Sequence, residues 1–156
     1  MEQQDLPFDH CYLQCVESHA IPGDDDFRLV ICMTTEMSLY LVEAKQISID
    51  TSFKRVRGWY EFEIKCWDNN NMRCKSLLLI VIQYADTLIA VVAARAFITS
   101  QSAHAHLILF RRIFEIARTD LGMPVTFFHI GGVGIETVIA DGHRGQALGI
   151  SFSYSY

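Results

Sequence analysis

The sequence predicts an α/β fold built on a mixed sheet, and three observations carry that expectation. Short alternating runs read as strands in the middle of the chain, one strongly periodic helix follows over Ser102–Arg118, and further strand candidates come after it. Strands, then a helix, then a strand suit an α/β or α+β sheet. At 156 residues and 51% hydrophobic content, the chain is the length of about one domain and holds enough apolar surface for a core.

Taken in order, residues 1–26 show little strand signal, and Pro22 to Asp26 reads as a loop from its turn residues. Phe27 to Met33 is a short apolar run. Thr35 to Lys45 contains helix formers, with Met37, Tyr40, Leu41 and Ala44 spaced for one face. Ile47-Ser48-Ile49-Asp50 alternates like a strand. Trp59 to Trp67 alternates too, with Tyr60, Phe62, Ile64 and Cys66 on one side and Glu61, Glu63 and Lys65 on the other. Gly58 between these two runs makes a hairpin plausible. Asp68 to Asn71 closes the second run as a turn.

Val91 to Thr99 is another strand candidate. In the helix that follows, Ala103, Leu107, Phe110, Phe114 and Ala117 recur at spacings of four and three. Ser100 or Ser102 caps its start, and Gly122 with Pro124 ends it. Val125 to Ile130 reads as a strand, Gly131 to Gly134 as a loop and Glu136 to Ala140 as a further strand.

Net charge is −5, and the basic residues form only short clusters such as Lys54-Arg55-Val56-Arg57 and Arg111-Arg112. A nucleic-acid binder usually shows a basic domain or stripe, so tight DNA binding by this chain alone is not expected. The five cysteines, Cys11, Cys15, Cys32, Cys66 and Cys74, are odd in number and scattered, which does not suit a disulfide framework. The acidic start MEQQDLPFDH lacks the features of a secretory signal, so an intracellular, reducing setting is expected. Leu77 to Ala94 is long enough to raise a transmembrane helix. Gln83 and Asp86 near its middle oppose that, since a buried Asp costs about 2.5–3.5 kcal/mol on insertion scales. A buried strand or helix suits the segment better. Exposed, it would serve a membrane-associated or protein-interaction module, or self-association.

Two acids stand out by position. Asp50 and Asp141 each follow an apolar strand. Carboxylates at the ends of neighbouring strands can bind divalent metal through oxygen, and paired metals serve phosphoryl transfer. From spacing alone this signal is weak, and both acids are more simply read as capping turns or loops. The glycines Gly131, Gly132 and Gly134 follow a strand, but a dinucleotide fingerprint needs a helix directly behind them, and Thr137 to Ala140 is strand-like. His10, Cys11, Cys15 and His19 form a metal-like cluster, with Cys11, Cys15 and His19 on one helical face. Zinc sites usually have tighter cysteine pairs, so an ordinary helix face is the simpler reading. His143, beside Asp141, either tunes the acidic site or is a loop histidine.

The run Ile47 to Lys54, ISIDTSFK, resembles the first acidic motif of Mutator-like (MULE-type) DDE transposases: an apolar strand, Asp, then Thr and Phe. Val138 to His143, VIADGH, with Gln146-Ala147-Leu148-Gly149 behind it, is similar to the second acidic motif. Phe97 to Arg118 sits where that family has the intervening helix. The wording resembles transposon-derived reading frames of mushroom-forming fungi. The resemblance spans roughly residues 40–149. It implies a ribonuclease H-like fold, here truncated: antiparallel hairpin strands, one crossover helix and a parallel strand. It further implies magnesium-dependent DNA cleavage and transfer, DNA as partner, and a nuclear location. Asp50 and Asp141 would be two of three metal-binding catalytic acids. The third, normally on a later helix, has no counterpart, and Glu136 lies on the same strand as Asp141, so a degenerate fragment without activity is expected. The implied domain is 39–149, after an N-terminal extension 1–38 and before a tail 150–156. Resemblance lapses over residues 74–90, which read as a non-native insert of translated intron.

Overall fold

The computed structural model describes residues 12–52, 56–67, 90–140 and 142–153. Among them the chain forms a mixed six-stranded sheet and four helices. The strands are β1 (Leu13–Ile21), β2 (Asp24–Cys32), β3 (Gln46–Ser52), β4 (Tyr60–Trp67), β5 (Val91–Ile98) and β6 (Thr137–Ala140). The helices are α1 (Thr35–Glu43), α2 (Ala103–Leu121), the single turn α3 (Phe128–Gly131) and α4 (Arg144–Ser153). The expected mixed α/β architecture is present.

The strand order is β1-β2-β5-β4-β3-β6. Every neighbouring pair is antiparallel except β3 and β6, which run parallel. The parallel pair requires a crossover, and α2 lies in the connection between β5 and β6.

Period-two alternation places Ile47 and Ile49 of β3, Phe62 and Ile64 of β4, Ala94, Ala96 and Ile98 of β5, and Phe27, Leu29 and Ile31 of β2 in one continuous core. Burial of each large aliphatic or aromatic side chain contributes about 1.5–3 kcal/mol. Helix α2 lies over this face: the Phe110 ring meets Phe62 edge-on, with centroids 5.5 Å apart. Its caps are those the sequence predicts. The Ser102 side chain accepts from the Ala105 N–H, and Gly122 adopts φ +68° while donating to the Arg118 carbonyl. The buried stripe is Ala105, His106, Leu109, Phe110, Ile113 and Ala117. That stripe is rotated from the expected Ala103–Leu107–Phe110–Phe114 face. The apolar arc of this helix is wide, running from Ala105 and Ile116 round to Leu107 with Arg111, Glu115 and Arg118 opposite, so a narrower stripe within it can be placed in more than one phase. Helix α1 leans on α2, where the Ser38 hydroxyl donates to Asp120 at 2.5 Å.

Three expectations are corrected. Residues 13–21, read without strand signal and with Cys15 and His19 on a helix, form β1, which turns through Pro22-Gly23 (Gly23 φ +84°) into β2. The acids of the expected loop Pro22 to Asp26 thus begin a strand. Val125 to Ile130 is not a strand. Phe127 makes an isolated parallel bridge to Ile135, and the chain then coils into α3, closed by Gly132 at φ +73°. Of the apolar segment 77–94, residues 91–94 begin β5, the strand expected over Val91 to Thr99, and pair with β4. Residues 77–89, with most of the expected insert 74–90, lie outside the described residues, as do His10, Cys11 and Cys74. Among the described residues no helix is long and apolar enough to cross a membrane.

Candidate functional site

The candidate site lies where the parallel strands β3 and β6 end. Their pairing runs Gln46 to Thr137, Ile47 to Val138, Ser48 to Ile139 and Ile49 to Ala140. Each member of the last rung immediately precedes one of the two aspartates in sequence, Asp50 after Ile49 and Asp141 after Ala140. Asp141 itself lies outside the described residues. In open α/β sheets, the crevice beyond the carboxyl ends of parallel strands is the usual ligand position.

Asp50 sits on the sheet face opposite its chain neighbours, the core residue Ile49 and the part-buried Thr51. Glu63 of β4 lies directly across from it, and Arg95 of β5 lies across from Glu63. Opposed like charges are destabilising, and cations from the same face answer them. Lys65 Nζ is 3.4 Å from Asp50 Oδ2 and 3.4 Å from Glu63 Oε2. Arg95 donates to Glu63 Oε1 through Nε at 3.0 Å and Nη2 at 2.5 Å. Burial pushes the Glu63 carboxyl up, but hydrogen bonds and charge from Arg95 and Lys65 outweigh it, and its pKa falls below the ordinary value. Glu61, on the same side of β4 as Glu63 and Lys65, is only 4% exposed, and Arg95 Nε is 3.4 Å from its Oε1.

Carboxylate oxygens are the right donors for magnesium, yet Asp50 is already answered by the Lys65 ammonium. Among the described residues no group of three or more His, Cys, Asp or Glu converges to hold a metal ion. Within the described residues, Asp50 with its Lys65 partner does not make a magnesium centre.

Behind the strand ends stands α4. It begins three residues after Asp141, and the His143 carbonyl accepts from the N–H groups of Gln146 and Ala147. Gln146 is 1% exposed, and its Nε2 donates to Thr51 Oγ1, the residue after Asp50. Gln146 Oε1 has no hydrogen-bond partner among the described residues. Leaving such a group buried and unsatisfied costs about 1–3 kcal/mol. Two glycines seat α4. A Cβ at Gly145 would lie 2.5 Å from the Gln101 carbonyl oxygen, and one at Gly149 would lie 2.5 Å from His106 Cβ. His143 stands beside the buried His106, with ring centroids 5.6 Å apart. The helix continues through Ile150, which is 7% exposed, to Ser153, past the point where the sequence reading places a tail.

Glu136 is placed at the other end of the strand pair, where its N–H donates to the Lys45 carbonyl and its carboxylate lies 3.6 Å from Lys45 Nζ. Cys15 and His19 share one face of the strand β1, with Glu17 between them, rather than a helix face. Glu17 accepts from Arg112 of α2 and lies 2.8 Å from His19 Nε2, and Arg112 holds its pKa down at about 2. Burial, with Glu17 adjacent, pushes the Cys15 thiol up to about 11. The residues Gly131 to Gly134 close α3 and lead to the bridge at Ile135, with no helix directly behind them.

Sequence reasoning singled out Asp50 and Asp141 but gave no role to Lys65, Glu63, Arg95, Thr51 or Gln146. The alternation of β4 put Glu63 and Lys65 on one face. Nothing in the sequence brought Gln146 to Thr51. No family model, curated protein or solved structure matches the chain.

Proposed function

We propose that this chain is a transposase-derived domain of the Mutator-like type, keeping a ribonuclease H-like sheet but not the family's catalysis. In that fold the first strand is central and the strand after the helix lies beside it in parallel. The arrangement of β3, β4 and β5 as consecutive antiparallel neighbours, followed by α2 and then β6 parallel to β3, supports the reading. The hairpin β1–β2 adds two strands beyond β5. The observation that carries the proposal is the rung Ile49–Ala140, from which the two motif aspartates follow in sequence.

Catalysis by this family needs charge stabilisation by metal held on three acids. Asp50 is already paired to Lys65, which under-stabilises the charge that develops on the phosphoryl group. Net charge −5 makes DNA association weak and salt-sensitive, and a nuclear location belongs to the same reading. The test is nicking of supercoiled DNA in magnesium by the purified chain beside Asp50→Asn and Asp141→Asn. The expected result is no cleavage above the two variants. Robust nicking lost in both variants would overturn the inactive reading.

A further inference from the structure

We propose that the outward face of the sheet holds a site for single-stranded nucleic acid, centred on Trp59, Phe97 and Arg28. Its residues come from β2, β5 and the turn ahead of β4, and include neither motif aspartate. Val16 of β1 shares a rung with Val30 of β2, and Val30 shares one with Phe97 of β5. The three lie in a row on the face turned away from the core residues Leu29, Ile31 and Ala96. Outward positions of an antiparallel sheet ordinarily carry polar residues. Single exposed apolar side chains are common, whereas a contiguous set marks a binding surface. Val16 is 68% exposed. Val30 and Phe97, with Val56 and Trp59, line an open cleft of about 170 Å³.

The chemistry around this cleft selects its ligand. The cleft has room for a planar ring, and the Arg28 guanidinium stands 5.9 Å from the centroid of the Trp59 ring. Arg28 pairs with the exposed Asp26 at 2.8 Å, a contact that water weakens and another anion can replace. Arg57, also exposed, occupies the turn between Val56 and Trp59. An aromatic face beside two cations suits a planar ring that carries negative charge, and a nucleotide supplies both, the base to stack and the phosphate to pair. A duplex keeps its bases stacked inside, so the strand must be single. An extended peptide is a poorer match. Phe97 pairs with Val30 on one side and with Glu61 on the other, so the backbone here is already used and offers a peptide no main-chain partners. A stacked base needs only the ring face. With net charge −5 on the chain, the affinity is low and salt-sensitive.

The test uses the full chain at low salt. The chain has two tryptophans, so Trp67→Phe leaves Trp59 as the fluorescent reporter. A short oligothymidylate should quench it, and a hairpin duplex of the same length should not. With the oligothymidylate dye-labelled, anisotropy gives the affinity. Trp59→Leu should weaken binding about tenfold or more. Arg28→Gln should weaken it less, and should flatten the slope of log affinity against log salt by about 0.7. Arg28 is exposed, so Arg28→Gln keeps the parent's melting temperature and carries the test if Trp59→Leu does not. No quenching by the oligothymidylate, equal binding of the duplex, or an affinity unchanged in Arg28→Gln overturns the site. Equal quenching by an acidic tyrosine-containing peptide would assign the cleft to a protein partner and overturn it too.

Discussion

Arg112 of α2 grips Glu17 of β1, with its Nε 3.1 Å from one carboxylate oxygen and Nη2 on the other. Among the described residues β1 is the outermost strand and pairs with β2 alone, so this ion pair fastens a strand that otherwise has one described neighbour.

The pair makes stability depend on acid. The hydrogen bond from Arg112 lowers the Glu17 pKa from 4.5 to about 2. A depressed carboxyl stabilises the fold above its unfolded value and loses that contribution as pH falls through the folded one. The window is therefore about pH 4.5 down to about 2. Arg112 is 38% exposed, and screening reduces the contribution to about 1 kcal/mol. Glu17→Gln should lose this at neutral pH and flatten the urea midpoint across the window. Parallel acid profiles for the variant and the parent would count against the coupling.

Gly149→Ala sets two effects against each other. Alanine is better than glycine inside a helix by about 1 kcal/mol. Here its Cβ would meet His106 Cβ at 2.5 Å and the His106 carbonyl carbon at 3.0 Å, and overpacking costs about 1–3 kcal/mol. The clash is with a buried helix rather than a flexible side-chain end, so net destabilisation is expected. The urea midpoint decides, and a rise would mean that α4 is not seated on α2 as described.

Lys65→Met leaves Asp50 and Glu63 opposed without the cation between them. These groups are part-exposed, with Asp50 at 47% and Lys65 at 30%, so the loss is at most about 1 kcal/mol at low salt. It should shrink as ionic strength rises. Thermal melts at low and high salt measure it. A loss that is undiminished in high salt would place the role of Lys65 in packing instead of charge.

Cys66 points into the core at 6% exposure, and burial pushes its thiol up to about 12. The thiolate is the reactive form. In the native protein at neutral pH, Cys66 should therefore resist an alkylating reagent until denaturant is added. Mass mapping of labelled peptides checks this, and prompt native labelling of Cys66 would contradict its place in the core.

The middle of the fold was legible because its strands obey simple patterns. Ile47 and Ile49, and Phe62 and Ile64, alternate with polar neighbours, and Ser102 and Gly122 mark the ends of the main helix. β1 escaped notice because its pattern is inverted. Glu17, half-buried beneath Arg112, is flanked by Val16, which is 68% exposed. An ion pair to a distant helix replaces the apolar contact that sequence reading looks for. α4 was missed for a related reason. Gly145 and Gly149 are poor helix formers, and a side chain there would run into the Gln101 carbonyl ahead of α2 and into His106 of α2. In the candidate site, the two aspartates could be found from motif order. Lys65 and Gln146 depend on register and on the packing of α4, which are tertiary facts.

The meeting of Cys66 with Val91 on one rung of the β4–β5 pair carries a consequence for how this chain can vary. The ends of the segment between those strands stand a strand's width apart, so the sheet needs only a tight turn there. Closure entropy rises slowly with length, by about 0.6 kcal/mol for each doubling. Codons can therefore be gained or lost at this point at little cost to the sheet, while the strands on either side keep their places.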